Sequence, residues 1–207
     1  MTARAIDPTT IKQQIAVTAA KLIAEDGATY ENAKRQALRM ITGNTRINSE
    51  ILPNNEAVEN ELRRYNRIFH SKTQPAQLKA LRLTAVALMR QLADFSPYIT
   101  GAVLNGTANE HSTIHLQLFA DNAKDVQLFL LNEGIPFEVG ELDRFRKNNR
   151  IIETVTFNWR NETIQLTLYE PNDLRRSDRY FGEYAKRADL AYFTDIINGN
   201  VPDPADA

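Results

Sequence analysis

Residues 101–119, GAVLNGTANEHSTIHLQLF, hold the pattern around which the rest of the chain is read. Together with the residues just before them they predict an apolar strand over Tyr98–Leu104, a Gly-containing turn, a polar loop, and a second strand over Thr113–Phe119. In the second strand Ile114, Leu116 and Leu118 alternate with Thr113, His115 and Gln117, so one face is apolar and the other polar. A turn of this kind, followed by a strand with a polar face, gathers backbone and side chains on one cleft.

On the N-terminal side of that stretch the spacing is helical. Asp7-Pro8 is a helix start, Ile11, Ile15, Ala19, Leu22 and Ile23 form a stripe, and Gly27 is a stop. A second helix is expected over Tyr30–Ile41, with Gly43 beyond it, and a polar connection over Gly43–Asn55. A third begins near Asn55 and carries Val58, Leu62, Tyr65 and Phe69. A fourth begins near Pro75 with the strongest stripe: Leu78, Leu81, Ala85, Leu88, Met89, Leu92 and Phe95. On the C-terminal side Asp121 is the expected cap of a helix burying Val126, Phe129 and Leu130 and stopping at Gly134. A strand over Phe137–Phe145 follows, then a hairpin through Arg160-Asn161 with Ile164, Leu166 and Leu168 on its second arm. A last helix carries Leu190, Phe193, Ile196 and Ile197, and Val201–Ala207 reads as a frayed Pro/Asp/Ala tail. The expected class is α+β: an N-terminal helical region over 1–95 packed on a small mixed sheet within 96–207, closed by a C-terminal helix.

Composition bounds the function. A chain of 207 residues with 43% hydrophobic content can build a substantial core. A net charge of -1, from 25 Lys and Arg against 26 Asp and Glu, argues against bulk nucleic-acid binding. The absence of cysteine removes disulfides, thiolate nucleophiles and Cys-based zinc sites. No signal-peptide core opens the chain, and no window approaches the roughly 18 apolar residues of a membrane span. A cytoplasmic protein without membrane contact is the expectation.

Within YITGAVLNGTANEHSTIHLQLF, Gly101-Ala102 resembles a Gly-Ser turn with Ser replaced, Asn105-Gly106-Thr107 resembles an Arg-Gly-Thr, and Ser112-Thr113-Ile114-His115-Leu116 stands where Ser-Asp-Ile-Asp-Leu would be. The set is similar to the core of the nucleotidyltransferase superfamily, the polymerase-beta-like and minimal nucleotidyltransferases, in a degenerate form resembling bacterial nucleotidyltransferase-like proteins. The resemblance spans residues 79–170 and implies a sheet of nucleotidyltransferase-like topology. In active members two Asp and a third carboxylate from a later strand hold two divalent metals and a nucleoside triphosphate. Here the two Asp positions are Thr113 and His115, and the polar positions on the later strand are Gln165 and Thr167, with Glu170 at its end. Neutral Thr and imidazole do not provide the hard anionic oxygens that Mg²⁺ takes.

The resemblance therefore implies a catalytically silent binding or regulatory module with a nucleotide or protein partner. Its candidate cleft is Gly101, Ala102, Asn105, Gly106, Thr107, Thr113, His115 and Thr167. No catalytic residue, metal ligand or cofactor is assigned. Two alternatives stay open: an active transferase using Mg²⁺ and a nucleoside triphosphate through Glu110, Asp121 or Glu170, and a helical protein-interaction module. His111 and His115 read as structural or surface residues, since the H-x-x-x-H spacing serves a metal on one helix face and these straddle a loop and a strand. Two basic clusters, Arg144, Arg146, Lys147 and Arg150, then Arg175, Arg176, Arg179, Lys186 and Arg187, read as solvated surface balanced by nearby acids, or as contacts for RNA, phosphate or an acidic partner.

Overall fold

In the first of two compact units, Met1–Gln74, helices form where apolar spacing and capping residues coincide. The computed structural model describes residues 8–43, 51–142, 152–175 and 187–206. Helix α1 (Pro8–Asp26) starts on the expected proline, while the expected cap Asp7 lies outside the described residues. Helix α2 (Tyr30–Thr42) is capped by Thr29, whose side chain accepts the Asn32 N–H, and ends at Gly43 in the left-handed conformation. Helix α3 (Asn55–Phe69) is capped by Asn54, which accepts the Ala57 N–H at 2.9 Å. Ile15, Ala19, Ala33, Ala37, Leu38 and Val58 meet in one core, and small alanines let the helices approach closely.

The second unit, Pro75–Ala207, contains the sheet. Helix α4 (Gln74–Gln91) buries the predicted stripe Leu78, Leu81, Ala85, Leu88 and Met89, with Leu92 just beyond, in the same core as the sheet's apolar face. The elements that follow are β1 (Tyr98–Thr100), α5 (Gly101–Asn105), β2 (Ile114–Phe119), α6 (Ala123–Asn132), β3 (Phe137–Leu142), β4 (Ile152–Trp159), β5 (Glu162–Tyr169), β6 (Arg187–Ala188) and α7 (Leu190–Ile197). Strand order is β3-β4-β5-β2-β1-β6. β2 and β5 run parallel at the centre, and every other neighbouring pair is antiparallel. The protein is thus α+β, with seven α-helices and a six-stranded mixed sheet among the described residues. No described helix is long and apolar enough to cross a membrane.

Several sequence expectations are corrected. The strand expected over Tyr98–Leu104 stops at Thr100: Gly101, at φ 72, turns the chain, and Val103 and Leu104 are buried by the short helix α5 instead. An apolar run of that length fits a buried strand or a buried helical turn equally well. Asn122, not Asp121, caps α6, its side chain accepting the Lys124 N–H at 3.0 Å. The strand after α6 is described to Leu142; Asp143 to Phe145 lie outside the described residues. The hairpin turn is as expected, with Arg160 and Asn161 both at positive φ (51° and 68°). The tail is not frayed where it is described. Val201 and Ala205 pack on the core, and Asp203 is ion-paired with Arg82 of α4.

Candidate functional site

Because the sheet's period is two, burying Ile114, Leu116 and Leu118 on the helix side turns His115, Gln117 and Phe119 to the other side. The strand register then builds rungs across that second face. One runs Thr100, His115, Gln165, Thr156; the next runs Tyr98, Gln117, Thr167, Thr154. Residues directly opposite across a strand pair share a face and touch. These eight side chains are hydroxyls, amides, one phenol and one imidazole. None of the eight is a carboxylate, lysine or arginine, but the same register continues the first rung to Arg187 of β6 beside Thr100 and to Glu138 of β3 beside Thr156, so charge flanks the row at both edges.

His115 stands at the centre of the first rung. Its imidazole is hydrogen-bonded to Gln165, and the backbone of Gly101 closes over it, so that a methyl built on Gly101 would meet Cδ2 at 3.4 Å. Burial pushes its pKa below the ordinary histidine range, and the Gln165 bond opposes that only in part. The shift favours the uncharged ring. In the next rung Gln117 is 6% exposed, and its Oε1 has no hydrogen-bond partner among the described residues.

Beyond these rungs the face becomes aromatic. The rings of Tyr98 and Phe119 meet edge-on at 5.5 Å, and Phe119 stacks on Tyr169 at 5.5 Å. Ile152 and Leu174 complete this cluster. The Arg187 guanidinium lies 5.4 Å from both the Tyr98 and Phe119 ring centres and donates to the Leu174 carbonyl at 2.8 Å. Burial first, and then the charge of Asp173, push the Tyr169 phenol up to about 12, with Arg187 opposing. Arg187 is therefore a packing element of the sheet rather than part of a solvated basic patch. Of the expected basic clusters, Arg144, Arg146, Lys147, Arg150, Arg176, Arg179 and Lys186 lie outside the described residues.

The eight candidate residues fall into two groups. Gly101, His115 and Thr167 belong to the neutral face, with Thr113 partly exposed just before β2 and Ala102 partly buried in α5. Asn105, Gly106 and Thr107 sit at the other end of α5 and are buried. There the chain wraps on itself: the N–H groups of Thr107 and Ala108 converge on the Ala102 carbonyl at 3.0 and 3.1 Å. A methyl on Gly106 would fall 2.2 Å from the Ala205 Cβ, so this glycine is needed where the closing segment crosses it.

Sequence reasoning missed Arg82 and Asp203. Arg82 is buried in α4 and donates through Nε to the Val103 carbonyl at 3.1 Å, and through its fork to Asp203, Nη2 to Oδ1 at 2.8 Å. Asp203 in turn accepts the Ala205 N–H at 2.9 Å. Burial alone would raise the Asp203 pKa, but the hydrogen bonds from Arg82 and Ala205 and the charge of Arg82 outweigh it and hold the carboxyl below its usual range. A signal was present in the sequence: position 82 stands four residues after Leu78 and three before Ala85, on the buried stripe itself. A charge at such a position requires a partner.

Of the carboxylates of the active-transferase alternative, Glu110 stands apart from the other two. Glu110 precedes β2 and receives a hydrogen bond from Gln77. Asp121 and Glu170 follow the far ends of the parallel strands β2 and β5, a strand length of roughly 17 Å away from the Glu110 end. His111 pairs with exposed Glu110 at 3.6 Å rather than with His115. Among the described residues no three His, Asp or Glu side chains form a group able to hold a metal ion. The donor set beside His115 does not fit Mg²⁺, which takes hard anionic oxygens. An open hollow of about 600 Å³ lies elsewhere, lined by Ile196, Ile197, Gly199, Asn200, Val201, Pro202 and Asp203, and none of the eight candidates lines it. Comparison with family models, with curated proteins and with solved structures finds no match.

Proposed function

We propose that the chain is a catalytically silent relative of the nucleotidyltransferases, acting as a binding or regulatory module. The observation that carries this reading is the register around His115. A short strand, a glycine turn and an antiparallel second strand lie beside a parallel later strand, the layout in which active members of that superfamily set three carboxylates. On this reading Thr113 and His115 stand at the two Asp positions and Gln165 or Thr167 at the third, and none of them is a carboxylate. The centre of this face offers hydrogen bonds without charge, with Arg187 and Glu138 at its edges. It suits the base or sugar of a nucleotide, or a polar protein segment, better than a metal-bound triphosphate.

Isothermal titration with Mg²⁺ and each of the four ribonucleoside triphosphates, with a label-transfer assay alongside, tests the reading. The expected result is no Mg²⁺-dependent transfer, and binding of a nucleoside no weaker than that of its triphosphate. Turnover that His115→Ala abolishes would overturn it. A reconstruction probes the frame itself: Thr113→Asp, His115→Asp and Gln165→Asp together should create Mn²⁺ binding that the parent lacks. A folded triple variant with no gain in Mn²⁺ binding would show that the frame is not that of a two-metal pocket.

A further inference from the structure

We infer that residues 201–206 form a strap that locks helix α5, and through it sets the position of Gly101 over His115. Three observations converge. Asp203 is held by the buried Arg82, whose side chain is 7% exposed, and the same guanidinium reaches the Val103 and Leu104 carbonyls of α5. One side chain of α4 therefore grips both the strap and the helix. The strap also lies directly on the C-terminal end of α5, where Ala205 leaves no room for a Cβ at Gly106. Finally, α5 spans only five residues, and its first residue, Gly101, is the one that lies on the His115 ring. Asn105 and Gly101 are separated by only roughly 6 Å of helix axis, and a helix this short depends on its packing, so release at Asn105 is expected to reach Gly101.

Pro202 and Pro204 restrict the strap's backbone. The hydrogen bonds from Arg82 to Asp203 are its polar attachment to α4, and Val201, Pro202 and Asp203 line one side of an open hollow. Opening the Arg82–Asp203 clasp frees α5 at one end and changes the neutral rung at the other. This device does not depend on the nucleotidyltransferase reading, since it concerns the geometry of the site and not its ligand.

The test is amide hydrogen exchange, with the His115 Hε1 proton signal at fixed pH 7.5 as second readout, on the full chain and on Asp203→Asn. With three histidines in the sequence that signal is assignable by substitution. Loss of the charged partner should speed exchange at Leu104–Ala108 about tenfold or more. The His115 signal should shift, while Val155 and Leu166 in the hairpin keep their parent rates. A uniform rise in exchange across the unit would reduce the clasp to a general stabiliser and overturn the inference. So would faster exchange at Leu104–Ala108 with an unmoved His115 signal, or no change at either place. If Asp203→Asn does not fold, Arg82→Lys, which keeps the charge and loses the fork, is measured in the same way with the same outcomes.

Discussion

The two ends of helix α5 answer opposite demands. Its C-terminal end is sealed: Asn105, Gly106 and Thr107 are buried, an arginine holds the carbonyls of Val103 and Leu104, and an ion pair anchors the segment that covers them. Its N-terminal end is left neutral and partly open, with Gly101 over an uncharged His115 and a row of hydroxyls and amides beyond. Charge fixes the sealed end, whereas on the face beside His115 it enters only at the edges of the row, through Arg187 and Glu138. The difference teaches that a run of candidate residues adjacent in sequence need not serve one purpose, even within a single turn and a half of helix.

The largest effect that could break this contrast is loss of Arg82. Arg82→Met leaves Asp203 and two α5 carbonyls without their donor, and should cost about 3 kcal/mol in chemical denaturation of the second unit. A loss under about 0.5 kcal/mol would mean that the sealed end does not need its clasp. Next comes Gly106→Ala. It meets a left-handed φ of 78° and a methyl-to-Ala205 overlap together, for about 2–3 kcal/mol. Gly101→Ala is the paired measurement at the open end. It meets a similar φ of 72° but only an ordinary contact to His115, and should cost about 1 kcal/mol. Equal losses at the two glycines would erase the distinction between a sealed and an open end.

How much of this was readable from residues alone follows from the range of the forces involved. The neutral face was legible, because alternation in β2 and β5 depends only on neighbours two residues apart, and burying Leu116 and Leu166 fixes where His115 and Gln165 go. The α4 stripe was legible for the same local reason. Helix α5 was not, since Val103-Leu104 suits a buried strand as well as a buried turn, and the decision lies with Gly101 and with Arg82 far upstream. The strap was least legible. Val201–Asp206 has the composition of a loose tail, and what orders it is a partner 121 positions away. Only the charged residue on the α4 stripe hinted that some distant carboxylate must come to it.

Acid provides the finest probe, because the two ends titrate in separate windows. Asp203 has a folded pKa below its unfolded value of about 4, so its contribution is fully present above that pH and is lost as pH falls through the depressed folded value. Nothing from the clasp should therefore change between pH 8 and pH 5. His115 acts in the interval the clasp leaves flat. Its folded pKa is also depressed, and for a base this means that the unfolded chain takes up a proton first. Its contribution is complete above the unfolded value of 6.5 and declines as pH falls below that, by at most about 1.4 kcal/mol per pH unit. Denaturation midpoints at pH 7.5, 6.5 and 5.5 for the parent and for His115→Gln separate the two. The variant should flatten the decline between pH 6.5 and 5.5 and leave the acid limb below pH 4 in place. A decline that persists unchanged in His115→Gln would assign it to another group, and would remove the claim that the open end is held uncharged by burial.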